Sequence, residues 1–207
     1  MTKYSEKEIS KFTQSVIESV ALHLLAHDEL SEAELSNKKL IFEKAIDFTK
    51  DENFDLLIDY RELILETAKY FLTQKKYEFS IIFFAMFYEH SINNLIAMQL
   101  SRKNITNKAK NDLIRSVNIA GKFSWLLEIL ELPEFNKKHK NNILNICNER
   151  NAFIHYKWNP PQHSSKGSES TINQLIDDAM KAATYFKKYI SRALYSGKKG
   201  RLNNALK

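Results

Sequence analysis

At 207 residues, 43% of them hydrophobic and 12% aromatic, the chain is long enough to bury one ordinary core and too apolar for a disordered class. Four Gly and three Pro leave few of the punctuators that hairpins need, which argues against an all-β fold, and the single Cys147 excludes an intramolecular disulfide. The net charge of +6 is uneven: residues 1–60 hold 7 Lys+Arg against 13 Asp+Glu, whereas residues 61–207 hold 24 against 12. A basic body invites a polyanion, and a solvated lysine-rich surface would give the same count.

Apolar residues recur at helical spacing almost throughout, so the expected fold class is all-α. Ile9, Phe12, Val16, Val20 and Leu24 mark a first helix over about 5–27. Ser31 with Glu34 forms a capping box for a second, through Leu40, Ile41 and Ala45. Asp55 is placed to cap a third that carries Leu57, Ile58, Leu63, Ala68 and Phe71. A fourth, about 77–102, is apolar nearly all round and is the expected central helix. Residues 107–132 read as one broken or two short helices, with Gly121 near the break and Pro133 closing the stretch. A helix over about 134–156 follows, then a loop at "NPPQHSSKGSES", then a helix from Thr171 to about Tyr195. These elements group as an acidic N-terminal helical extension, 1–60, a helical domain, 61–195, and a basic tail, 196–207, expected to fray.

The N-terminus "MTKYSEKEISKF" has no continuous apolar segment of the signal-peptide kind, and the longest apolar run, "IIFFAMFY" at 81–88, is short of the ~20 residues of a membrane span. Unpaired cysteine usage adds to an expectation of a cytoplasmic protein without membrane contact.

One side chain is out of place. Ile143, Ile146, Cys147, Phe153 and Ile154 fall on one helical stripe, and Arg150 lies in its middle. A guanidinium facing a core requires a partner, and Glu89, on the most apolar helix, is the candidate; the alternative is that Arg150 faces a cleft, where its planar fork would hold a phosphate. His155 lies about 140° round the helix from Arg150, so one straight helix cannot aim both at one atom. Either the helix unwinds before "WNPP" or a second copy of the chain completes the site.

The segment "RNAFIH" at 150–155 resembles the signature of the HEPN superfamily: an Arg, a polar residue, three or so variable positions and a His. "YEFSIIFFAMFYEHSINNLIA" at 77–97 is similar to that family's long apolar helix with a glutamate in its middle, here Glu89, and the likeness spans about 63–195. The resemblance implies a small dimeric helical bundle and a metal-independent endoribonuclease needing no cofactor, with the cleft formed across a homodimer. His155 would move the proton at the ribose 2′-hydroxyl or the leaving 5′-oxygen, Arg150 would steady the phosphate, and Asn151 and Glu89 would support the site. The products would be a 2′,3′-cyclic phosphate and a 5′-hydroxyl. Likeness to defence-associated members suggests a toxin or anti-phage effector, with a neutralising or activating protein as a further partner. Some members carry a tyrosine two positions after the histidine; here Lys157 stands there, between Tyr156 and Trp158. Members without nuclease activity make a dimerisation or binding module the alternative.

Candidate RNA contacts are Tyr156 for stacking, Lys157, and Lys137, Lys138 and Lys140 of "NKKHKNN", which equally suit a solvated helix start. His23 and His27 are spaced i to i+4 but lack a third ligand at recognisable spacing, so no metal site is expected. No short turn joins two helices around a basic recognition face, which ranks a sequence-specific DNA binder last.

Overall fold

The computed structural model describes residues 6–50, 59–155 and 166–206. Among them the fold is all-α, without a strand. The helices are α1 (Glu6–Ala26), α2 (Lys38–Thr49), α3 (Arg61–Thr73), α4 (Tyr77–Arg102), α5 (Asn107–Ser116), α6 (Ile119–Lys122), α7 (Trp125–Ile129), α8 (Lys137–Ile154), α9 (Lys166–Tyr195) and α10 (Lys199–Leu206), with a 3₁₀ turn at Glu34–Ser36.

Helix starts follow local side chains that satisfy the first free N–H groups. Asn37, Thr106, Asn118 and Asn136 accept from the backbone N–H of Leu40, Ala109, Gly121 and His139 respectively. The expected Ser31–Glu34 box is half made: Glu34 accepts from the Ser31 N–H at 2.7 Å, but only the 3₁₀ turn follows, and α2 begins at the Asn37 cap. Asp55 lies outside the described residues; Asp59 instead accepts from the Arg61 N–H at 3.0 Å and pairs with its guanidinium.

Helix ends explain how so few glycines suffice. Asp28, Lys75, Asn104 and Glu131 all take positive φ, between 55° and 59°. Around each, the next residue donates back five positions: Glu29 to Leu24, Lys76 to Phe71, Ile105 to Leu100 and Leu132 to Leu127. These are Schellman ends in which a residue with a side chain bears the left-handed strain that glycine would avoid.

The chain divides into two compact units, one of residues 1–57 with 194–207 and one of residues 58–193. In the first, Val20, Ala21, Leu24 and Leu25 of α1 and Ile41 and Ala45 of α2 share a core with Leu202 and Leu206 of α10. The tail expected to fray is therefore a helix with two leucines in that core. Charge helps to hold it: Glu32 pairs with Lys198 at 3.5 Å and with Arg201 at 3.7 Å, so acid from the N-terminal segment meets base from the C-terminal one. Glu34, 2.7 Å from Lys44, is held down to about 2 by hydrogen bonds from that ammonium and from Ser31.

In the second unit α4 packs against α3, α5 and α8. Two hydrogen bonds fix its register: the Ser80 hydroxyl donates to the Ala68 carbonyl of α3 at 2.9 Å, and the buried Tyr88 hydroxyl to the Ala179 carbonyl of α9 at 2.6 Å. Phe123, Phe135, Phe186 and Tyr189 meet edge to face or tilted beside the start of α8, where Tyr189 donates to the Pro133 carbonyl at 2.5 Å. The expected break after residue 107 falls in two places, after Ser116 and between α6 and α7. Gly121 stands at a close approach: a Cβ there would lie 2.9 Å from both Trp125 Nε1 and Val117 Cγ1, so those side chains would have to shift. Counted over all 26 residues rather than its longest apolar run, α4 is long and apolar enough to cross a membrane, and half of its most apolar window is buried within the fold.

Candidate functional site

On α8, Ile143, Ile146 and Cys147 are fully buried against the core, and Arg150 continues their stripe. Beyond it the stripe opens outward, with Ile154, expected to pack, half exposed. α4 passes in front of this segment, and Arg150 Nη2 donates to Glu89 Oε1 in a short ion pair. The Arg150 side chain is 18% exposed and that of Glu89 33%, so the pair sits in neither a dry core nor open solvent. Arg150 Nε is buried and has no hydrogen-bond partner among the described residues.

One turn along α4, Asn93 extends the polar cluster: its Oδ1 accepts from Lys122 Nζ at 2.8 Å. Lys122, on α6, is only 8% exposed, and burial lowers the pKa of its ammonium against the raising effect of Glu89. Arg150, Glu89, Asn93 and Lys122 thus bring two cations and one carboxylate onto a single stretch of α4. Burial, then the Glu89 charge, push the Cys147 thiol up to about 12 despite Arg150, which leaves it protonated and unreactive. Lys122 and Asn93 carried no signal in the sequence beyond those of an ordinary lysine and a helical asparagine.

His155 terminates α8, its N–H donating to the Asn151 carbonyl at 3.0 Å, and both residues are exposed. No hydrogen bond joins the His155 side chain to Arg150 among the described residues. The single chain therefore brings Arg150 to Glu89, while Asn151 and His155 lie exposed at the helix end. Tyr156 and Lys157 lie outside the described residues.

At the other end of α8, Lys137 and Lys138 are exposed and Lys140 half-buried, clustered against the positive end of the helix dipole. His139 of the same cluster turns inward and stacks on Tyr185 at 4.4 Å between ring centres; burial, chiefly, lowers its pKa. A separate groove of about 400 Å³ between α3 and α9 is lined by Lys69, Lys187 and Lys188 over Leu65 and Met180, without any motif residue. His23 and His27 lie ring to ring at 4.3 Å, and among the described residues no three His, Cys, Asp or Glu side chains are grouped to hold a metal. No protein-family model, curated protein or solved structure matches the chain.

Proposed function

We propose that the chain is a HEPN-like, metal-independent endoribonuclease, working as a cytoplasmic homodimer whose cleft combines Arg150 and His155 from both copies. The observation that carries this reading is the placement of Arg150 in a partly solvated polar cluster, five residues before an exposed His155 at a helix end. Arginine stays charged at all relevant pH values, and its fork matches a phosphodiester once Glu89 yields it. An imidazole has one nitrogen that accepts a proton and one that donates it, which suits both roles.

In the reaction, one His155 takes the proton from the ribose 2′-hydroxyl as that oxygen bonds to phosphorus. The bond from phosphorus to the 5′-oxygen breaks, and the leaving oxygen receives a proton from the second copy's histidine. Arg150 holds the charge that gathers on the non-bridging oxygens. With one His155 as base and a second as acid, two copies of the chain would be required at one phosphate. Lys137, Lys138 and Lys140 would follow the RNA backbone, Tyr156 and Lys157 would add contacts to RNA, and Asn151 would orient the cleft by hydrogen bonds. A toxin or anti-phage role, with a neutralising or activating protein, fits such an activity.

A second reading is favoured by the Glu89–Arg150 pair: a non-catalytic module of the same fold in which that ion pair is structural and the basic surface binds nucleic acid or protein. End analysis of RNA incubated with the purified protein in EDTA separates the two. Cyclic phosphate and 5′-hydroxyl ends are expected of the nuclease; intact RNA, or 3′-hydroxyl and 5′-phosphate ends, would overturn it.

A further inference from the structure

The cluster on α4 is unbalanced in a way that one ion pair does not explain. Glu89 is taken by Arg150, yet a second cation, Lys122, is buried one helical turn away with a neutral amide as its hydrogen-bond partner. A desolvated ammonium whose hydrogen-bond partner is a neutral amide rather than a carboxylate is costly to keep charged. Glu89 and Asn93 are i and i+4 on α4, so their Cβ atoms stand about 6 Å apart on one face. A rotation of the Glu89 side chain along that face therefore carries its carboxylate from Arg150 toward Lys122.

We propose that Lys122 is a positioning residue: the reserve counter-ion that receives Glu89 when a nucleic-acid phosphate takes Arg150. This rests on the reading of Arg150 as the phosphate-holding group. In the free protein Glu89 occupies the guanidinium fork and acts as a stand-in for the ligand. A phosphate entering the fork displaces a carboxylate that is two-thirds buried, and a carboxylate abandoned there would oppose binding. Lys122 has two donors beyond the one given to Asn93, and the exchange leaves each anion with a cation. Lys122 touches no substrate in this scheme; it sets how readily Arg150 is released. The depression of its pKa by burial, partly offset by Glu89, is the electrostatic state expected of a buried cation waiting for a full partner.

The test is a cycle of variants read by binding of a 2′-O-methyl oligoribonucleotide, which carries phosphates but no attacking hydroxyl, using fluorescence anisotropy. Lys122→Met, which keeps length and removes charge, should weaken binding about tenfold, the size of an ordinary coupling between sites. Lys122→Arg should bind as the wild type does. Glu89→Gln, with no carboxylate to displace, should bind more tightly than the wild type, and the Lys122→Met, Glu89→Gln double variant should recover the affinity lost by Lys122→Met alone. Lys122→Met binding within twofold of the wild type would overturn the proposal, as would a double variant no tighter than Lys122→Met. If Lys122→Met does not fold, Glu89→Gln binding no tighter than the wild type overturns it by itself. Failure of the Arg150 reading looks different: the wild type would not bind the oligonucleotide, or Arg150→Ala would bind it equally well.

Discussion

Replacing Glu89 by alanine strands Arg150, and the geometry sets the size of the effect. Exposed ion pairs contribute about 0.2–1 kcal/mol, whereas breaking a fully buried pair by removing one partner costs about 3–5 kcal/mol. With side chains 18% and 33% exposed, the Arg150–Glu89 pair lies between these limits. The loss for Glu89→Ala is therefore about 2 kcal/mol after screening, with Arg150 Nε already unpartnered among the described residues and Lys122 deprived of the carboxylate that raises its pKa. Trp125 lies in the unit that holds the pair, so its fluorescence during urea titration reports that unit. The midpoint should fall while the slope with denaturant stays unchanged. A Glu89→Leu, Arg150→Met double variant should be more stable than Glu89→Ala, because it buries no orphan charge. A loss below about 0.5 kcal/mol for Glu89→Ala would refute the reasoning, since it would place the pair among ordinary surface contacts.

Lys75→Gly should stabilise the chain by about 0.5–1 kcal/mol, because left-handed backbone costs a residue with a side chain about 1–2 kcal/mol while the glycine's extra freedom when unfolded returns part of it; a lower melting temperature would contradict the Schellman end. Leu202→Ala should cost about 3 kcal/mol in thermal unfolding followed by circular dichroism, since the side chain is fully buried, and no loss would mean that the C-terminal helix does not dock. Glu34 has a folded pKa of about 2 against an ordinary value of 4.5, so the unfolded chain binds more protons between those values. Its stabilisation is complete above pH 4.5 and lost as pH falls toward 2. The stability gap between wild type and Glu34→Gln should therefore close on acidification, and a gap that widens would reverse the assignment.

How far these features are legible in the sequence depends on what each one needs. The central helix and the Glu89–Arg150 pair are legible because a 26-residue apolar segment with a glutamate in its middle, and an arginine inside an apolar stripe, leave few ways to satisfy either charge. The helix ends are harder, since Lys75 and Glu131 do what glycine ordinarily marks. The docking of α10 is hidden for a related reason: Leu202 and Leu206 are two apolar positions among lysines, glycine and asparagines, and only the core of α1 and α2 gives them a place. Lys122 escapes because burial of a lysine is decided by tertiary contacts of a four-residue helix, which no periodicity reports. His155 stands out in the sequence only through its place in "RNAFIH", and whether a second copy would meet it is not written in one chain.

The most direct test of the central claim compares wild type, His155→Ala and Arg150→Ala for cleavage of single-stranded RNA in EDTA, each first shown to be folded. The account predicts cleavage by the wild type and a loss of 100-fold or more in either variant, roughly the contribution of a positioned acid–base group or charge stabiliser. Equal cleavage by all three, or none by a folded wild-type dimer, would contradict it.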